Sequence, residues 1–132
     1  MYSITRYYLS KVKIVAQNRE LVKGNIESLL LSLLLQQPMY GYQIIKVLEE
    51  QSEGYFKFKE GTLYPILHRL ENMGLITSQW QTLSGGRQRR YYYITDSGRH
   101  SFSEKKDQLW DFITAMNRII QPVQTQMEID KG

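Results

Sequence analysis

The chain has 132 residues, which suffices for one compact domain with an appended element. It contains no cysteine, only two histidines and no apolar run near the ~18 residues of a membrane-spanning helix, so we exclude disulfides, thiolate chemistry and histidine-based metal clusters, and expect a cytoplasmic protein without a signal peptide. Its net charge of +4 is concentrated in residues 1–24 and 57–99, as in a protein that binds a polyanion, although an ordinary basic surface would give the same total.

The chain begins with an ambiguous segment, residues 1–19. Apolar side chains recur there at helical spacing without a capping residue, so this N-terminal extension is interpreted as a short amphipathic helix or a partly ordered arm. A third alternative is that it contains residues upstream of the native start. From Glu20 the helical period is regular, and the first helix is expected to end before Pro38, because proline cannot continue the hydrogen-bond ladder. The predicted buried stripe of this helix is Ile26, Leu29, Leu30, Leu33 and Leu34.

Two shorter helices are predicted next. Gly41 opens the second helix, over residues 42–51, and the third covers residues 60–73. Pro65 is expected in about the first turn of the third helix, where a missing N–H costs little, and Gly74 is expected as the left-handed residue that ends it. The predicted buried stripe of the third helix is Leu63, Ile66, Leu67 and Leu70.

The hydrophobic period then changes from about 3.6 to 2, which is typical of strands. This period predicts two strands, at residues 75–81 and 89–95, and the Ser-Gly-Gly turn at residues 84–86 joins them into a β-hairpin. Alternation along the second strand predicts one face that carries Tyr92 and an opposite face that carries its two tyrosine neighbours.

A long helix is predicted over residues 97–121, after capping residues at 95–97. Its apolar side chains recur at spacings of three, four and seven residues and form a face that the small preceding domain cannot cover. We expect two copies of the chain to bury this face against each other, the alternative being that the helix folds back on its own domain. The predicted dimerisation residues are Phe102, Leu109, Phe112, Ile113, Met116, Ile119, Ile120 and Val123.

The order of the elements predicts a mainly α protein with a small β-hairpin. We interpret residues 20–96 as a winged helix-turn-helix and residues 97–132 as a C-terminal dimerisation helix and tail. In such a fold the third helix turns its polar face to the DNA major groove, and the hairpin tip adds Arg87, Arg89 and Arg90. Alternation turns the first two arginines one way and Arg90 the other, so Arg90 is expected to pair within the protein. A solvated helix face and a merely soluble turn are the alternatives.

Ordered motifs across residues 20–98 resemble the PadR family of bacterial transcriptional regulators. They are MYGYQII at 39–45, EGTLYP at 60–65, LHRLE at 67–71, GLI at 74–76, Trp80, GGR at 85–87, RYYYIT at 90–95 and Gly98. The resemblance implies a homodimer that represses promoters by binding pseudo-palindromic operators. The chain departs from the family pattern in residues 1–19, which exceed the usual amino-terminal region. Its short C-terminal part is similar to the family's compact subgroup with one long helix.

The candidate DNA-binding residues combine this resemblance with the polar helix face and the hairpin tip. The resemblance implies that the start of the second helix lies near the phosphate backbone. It also implies that the front of the third helix and the glycine-arginine tip contact DNA. The candidates are Tyr40, Tyr42, Lys59, Thr62, Tyr64, His68, Arg69, Gly86, Arg87 and Arg89.

Some members of the family sense aromatic or cationic compounds at the dimer centre. Trp110, Phe112 and Met116 are the candidates for such a pocket here, although stripes of this kind are also ordinary apolar core. A winged helix that binds a protein partner is a competing hypothesis, against which the arginine-rich tip argues. An enzyme is a third, but the sequence shows no nucleophile paired with a base, no phosphate-binding glycine loop and no metal-ligand spacing. We therefore predict neither catalytic activity nor a cofactor.

Overall fold

The computed structural model describes residues 19–120, with side chains from Leu21 onward. Within that range the chain forms four helices and one three-stranded antiparallel sheet. In chain order these are α1 (Arg19–Gln36), β1 (Met39–Tyr40), α2 (Gly41–Gln51), α3 (Glu60–Asn72), β2 (Ile76–Thr82), β3 (Gln88–Ile94) and α4 (Asp96–Ile119). This order confirms the predicted winged helix with a long C-terminal helix. None of the described helices has the length and hydropathy to cross a membrane. The predictions for residues 1–18 and Val123 lie outside the described residues.

The wing, which consists of β2, β3 and their turn, belongs to a three-stranded sheet rather than to a lone hairpin. Met39 of β1 lies opposite Tyr92, and Tyr40 lies opposite Tyr91, which gives the strand order β1-β3-β2. The sequence pattern did not predict β1, because a strand of two residues is too short to show an alternation. The pairing brings the start of α2 directly beside the wing.

The hydrophobic core lies between α1, α2, α3 and the inner face of the sheet. Leu31, which is outside the predicted stripe of α1, is fully buried, whereas Leu29 is only partly buried. The single stripe was wrong because α1 packs against both α4 and β3, so more than one of its faces is covered. Each leucine buried in this way contributes roughly 1.5–3 kcal/mol. The buried core residues are Ile26, Leu30, Leu31, Leu33, Leu34, Met39, Ile44, Leu48, Leu63, Leu67, Leu70, Leu75, Ile76 and Tyr92.

Pro65 and Gly74 are the two irregular points of α3. Pro65 is the sixth residue of the helix, later than the predicted first turn, so the Gly61 carbonyl lacks the N–H that would normally reach it. Gly61 is exposed, and water can replace that donor. Gly74 has a φ of +76°, which confirms the predicted left-handed end of the helix. The next amide, that of Leu75, donates to the Leu70 carbonyl at 3.0 Å.

Thr95 ties the start of α4 to the end of α3. Its hydroxyl donates to the Gly74 carbonyl at 2.7 Å and accepts the Gly98 amide at 3.0 Å, so it is the capping residue of α4. Gly98 is buried, and a Cβ there would meet the Leu75 carbonyl oxygen and lie 2.7 Å from Ile94 Cγ1. The junction therefore has room only for glycine at residue 98.

Candidate nucleic-acid interface

An open cleft of about 620 Å³ lies between the start of α2, the front of α3 and the wing. It brings together five of the predicted DNA-binding residues from three separate segments of the sequence. Its wall also contains residues that were not among the predicted DNA-binding residues. The lining residues are Tyr40, Gly41, Tyr42, Tyr64, Trp80, Arg87, Gln88, Arg89, Arg90 and Tyr92.

A contact between Tyr64 and Gly41 holds the front of α3 against α2. Gly41 is buried, and a Cβ at this position would lie 2.7 Å from Cζ and 2.8 Å from Cε1 of the Tyr64 ring. These separations are well inside van der Waals contact, so the ring occupies the space that the glycine leaves. Tyr64 is nonetheless 41% exposed, because its other side forms part of the cleft wall.

Two tyrosine hydroxyls of the cleft, those of Tyr64 and Tyr92, keep their protons at neutral pH. Burial, and secondarily the charge of Glu60, raise the pKa of Tyr64 above its ordinary value of 10.0. Burial also raises the pKa of Tyr92, against an opposing effect of the Arg90 charge. Both hydroxyls are therefore hydrogen-bond donors. The lining residues include three arginines and no acidic side chain, and this combination suits an anionic ligand.

Arg87 and Arg89 are the cationic side chains at the wing tip, next to Gly86 with its φ of +86°. In the described part of the chain neither arginine forms an ion pair. The Arg89 guanidinium lies 4.0 Å from the centre of the Tyr40 ring, a cation–π contact. Tyr40 in turn packs edge-on against Tyr91, with 5.5 Å between the ring centres. Arg89 is therefore held in position without losing its charge to an acidic partner.

Arg90, the third arginine of the wing, pairs within the protein, in the direction that alternation predicted. Its Nη2 donates to Glu71 Oε1 at 3.0 Å, and its Nε donates to Ser78 Oγ at 2.8 Å. The alternation gave the direction of this side chain but not its partner, because Glu71 lies on α3, 19 residues earlier. The charge of Arg90 is therefore compensated, unlike the charges at the tip.

The exposed face of α3 presents Thr62 and His68, and Lys59 precedes the helix as its exposed N-cap residue. Arg69, which was predicted beside them, turns toward α1, where its Nη2 lies 3.4 Å from Glu27 Oε2. The sequence did not indicate this ion pair, since 42 positions separate the two residues. Arg69 thus lies away from the cleft, and a carboxylate compensates its charge.

Trp80 and Gln88 line the cleft although neither was among the predicted site residues. Trp80 lies opposite Arg90 in the pairing of β2 with β3, and its side chain is 64% exposed. Large aromatic side chains are usually well buried, so one that remains exposed in the middle of a strand points to a binding surface. The alternation that located Arg90 also locates Trp80, because directly opposed residues share one face of a sheet.

The later part of α4 exposes a set of apolar side chains. Their exposed fractions range from 37% at Leu109 to 81% at Ile119. Phe102, which was predicted to belong to this face, instead packs against the core of its own domain, and Ile113 is half-buried. The start of α4 is therefore part of the winged-helix core, and the remaining apolar face lies beyond it. The exposed apolar residues are Leu109, Trp110, Phe112, Met116, Ile119 and Ile120.

Comparisons with known proteins agree with this architecture. Residues 30–104 match the profile of a family described as the transcriptional regulator PadR-like family. An uncharacterized protein of Lysinibacillus sphaericus is 34% identical over 85 residues, which are 64% of this chain and 78% of that protein. A solved transcriptional regulator of Clostridium thermocellum is 28% identical with a TM-score of 0.71, over 79% of this chain and 98% of that one. A solved PadR-like regulator of Bacillus cereus is 30% identical with a TM-score of 0.70, over 78% and 98% of the two chains.

Proposed function

The chain belongs to the PadR-like family of transcriptional regulators, and we propose that it is a repressor that occupies a pseudo-palindromic operator as a homodimer. Members of this family are DNA-binding regulators rather than enzymes, so DNA is a partner of this chain, and the prediction that it is not an enzyme is confirmed. Since bacterial DNA lies in the cytoplasm, we propose the same location for the protein.

The charge pattern around the cleft carries the proposed mode of DNA binding. Arg87 and Arg89 have no acidic partner among the described residues, whereas Arg90 and Arg69 are compensated. When α3 of a winged helix enters the major groove, the wing reaches the flanking backbone and the adjacent minor groove. Arg87 and Arg89 would then bind phosphates or a narrow minor groove. The tyrosine hydroxyls at the start of α2 would donate to phosphate oxygens.

Selection of bound sequences from random duplex DNA tests sequence reading and dimerisation together. Thr62 and His68 are exposed on α3, where they can reach base edges. We expect a palindrome whose half-sites lie about 10 base pairs apart, centre to centre. Enrichment of one isolated half-site would contradict the dimeric operator, and a failure to enrich any sequence would contradict specific recognition.

We propose that the exposed apolar face of α4 pairs with the same face of a second copy. Leu109, Phe112 and Met116 are spaced by three and four residues, so they lie on one side of the helix. Removing each such side chain from water contributes roughly 1.5–3 kcal/mol, which exceeds the cost of ordering it. Residues 20–96 would then be the DNA-binding domain and residues 97–132 the dimerisation helix and tail. Sedimentation equilibrium should give twice the mass of one chain, and a monomeric mass would contradict this pairing.

We further propose that a small aromatic ligand, bound at this face, releases the dimer from DNA. Trp110, Phe112 and Met116 offer two rings and a polarizable thioether within two helical turns. Titration with benzoate and with tetraphenylphosphonium compares an aromatic anion with an aromatic cation. In a Trp80→Phe variant, where Trp110 is the only tryptophan, binding should quench tryptophan fluorescence and raise the Kd for DNA together. If neither compound changes either signal, the effector part of the proposal fails while the repressor stands.

A further inference from the structure

Glu71, Ser78 and Arg90 form a closed network of three hydrogen bonds between α3 and the two strands of the wing. Ser78 Oγ donates to Glu71 Oε2 at 2.6 Å, and Arg90 Nε donates to Ser78 Oγ at 2.8 Å. Arg90 Nη2 closes the ring by donating to Glu71 Oε1 at 3.0 Å. Each of these residues comes from a different element, and each contacts the other two.

This network is partly shielded from solvent. The side chains of Arg90 and Glu71 are 40% and 25% exposed. The Arg90 guanidinium also lies 5.9 Å from the centre of the Trp80 ring and 5.7 Å from that of Tyr92. A planar guanidinium that is hydrogen-bonded at two nitrogens and flanked by two rings has few other positions available.

The position of Arg90 along the wing determines what the network does. Among the described residues, Arg90 is the wing residue nearest the tip that hydrogen-bonds to α3. Arg89 directly precedes it, and Arg87 lies two residues further toward the tip. The network therefore sets the distance between α3 and the two arginines proposed to bind DNA.

We infer that Glu71 and Arg90 are positioning residues, which fix the wing relative to α3 so that both can contact one DNA duplex at the same time. This role rests on the proposed docking of α3 and Arg87. Without the network, the wing has to be ordered when DNA binds, and the entropy of that ordering lowers the affinity.

Because Glu71 is negatively charged, the direction in which Glu71→Gln changes the affinity for DNA distinguishes two roles. A carboxylate near a polyanion weakens binding by repulsion, so Glu71→Gln strengthens binding if Glu71 acts through its charge alone. If Glu71 positions the wing, the same substitution weakens binding, because glutamine cannot form the charged pair with Arg90. We expect a loss of about fivefold, in the range of pairwise couplings at partly exposed ion pairs.

The binding experiment is a double-mutant cycle on a fluorescein-labelled duplex that carries the selected site, or on mixed-sequence duplex if selection returns none. Kd is measured for wild type, Glu71→Gln, Arg87→Ala and the double variant at one salt concentration. Glu71→Gln should raise Kd about fivefold in the wild-type background but little in the Arg87→Ala background, because the wing of Arg87→Ala no longer contributes to DNA binding. The matched control is Glu27→Gln, which removes the same charge and breaks the ion pair with Arg69 on α3, away from the wing. Glu27→Gln should change Kd by the same factor in wild type and in Arg87→Ala.

Tighter binding by Glu71→Gln, or an equal loss in both backgrounds, would overturn the positioning role. Amide hydrogen exchange of the free protein gives a second readout that needs no DNA. Glu71→Gln should accelerate exchange several-fold in β2 and β3 only, and Glu27→Gln should leave these strands unchanged. Unchanged exchange in the wing, or acceleration throughout the domain, would also overturn it. If Arg87→Ala keeps full affinity while the wing of Glu71→Gln exchanges faster, the proposed docking fails and the network stands.

Discussion

Replacing Gly41 by alanine tests whether the contact between α2 and α3 sets the DNA-binding geometry. A Cβ at residue 41 would lie 2.7 Å from Tyr64 Cζ and 2.8 Å from Cε1. Carbon atoms attract best at about 3.5–4.0 Å, so the two groups cannot share this space. Because Tyr64 is 41% exposed, its ring can move toward solvent, and we expect it to leave its place in the cleft.

Two terms oppose each other in the stability of Gly41→Ala. Overpacking typically costs about 1–3 kcal/mol, and the freedom of the Tyr64 ring puts the cost at about 1 kcal/mol. Alanine in place of glycine stabilises a helix by about 0.5–1 kcal/mol. The free energy of unfolding should therefore stay within about 1 kcal/mol of wild type. The affinity for DNA should nevertheless fall about tenfold, or about 1.4 kcal/mol, because Tyr64 is displaced.

Urea denaturation and DNA titration, measured on the same variants, separate these terms. Gly24→Ala is the matched control, since Gly24 lies inside α1 and a Cβ there has no neighbour within 4 Å. That variant should gain about 0.5–1 kcal/mol and keep its affinity for DNA. Tyr64→Ala should lose as much affinity as Gly41→Ala, and combining the two should cost nothing more. If Gly41→Ala behaved like Gly24→Ala in both assays, the reasoning from this contact would be refuted.

Four other variants test the wing, the exposed face of α3, the junction and the tyrosine. Arg87→Ala should weaken binding to all duplexes alike and reduce the slope of log Kd against log salt by about 1, whereas Thr62→Ala should alter base preference; an unchanged slope would argue against the wing contact. Gly98→Ala should lower the free energy of unfolding by about 2–3 kcal/mol, because its Cβ meets the backbone carbonyl of Leu75, and an unaltered Tm would contradict this. Burial raises the pKa of Tyr64 above 10.0 in the folded state, so its contribution is present below pH 10.0 and is lost as the pH rises through the raised pKa. Tyr64→Phe should therefore flatten the alkaline loss of stability in urea titrations, and an identical pH profile would show that Tyr64 is not its source.

The sequence was informative where periodicity or backbone conformation decides the structure. Tyr92 is buried and Arg90 turns inward because strand neighbours alternate between faces, and this alternation is visible in the residues themselves. Gly74 ends α3 because its left-handed conformation favours glycine. The winged-helix order follows from such local rules applied one after another.

The sequence could not predict contacts that depend on an element far away along the chain. The ion pair of Arg69 with Glu27 depends on how α1 lies beside α3, and no local pattern records it. Leu31 is buried because α4 and β3 cover a second side of α1. Trp80, which is one of the residues that resemble the family, was not predicted as a site residue, because only the fold shows that the cleft reaches it.

The Thr95 junction couples the orientation of α4 to that of α3. The helix has 24 residues, so it is about 36 Å long at about 1.5 Å per residue. Because Thr95 bonds to Gly74 at the end of α3 and to Gly98 in the first turn of α4, a tilt of one helix carries the other with it. Over that length, a tilt of about 5° moves the far end by about 3 Å. In the proposed dimer, a ligand that altered the crossing angle of the two α4 arms would change the separation of the two α3 helices. That separation must match the DNA repeat of about 34 Å. A small change in the angle between α3 and α4 at Thr95 would therefore lower the affinity for an operator.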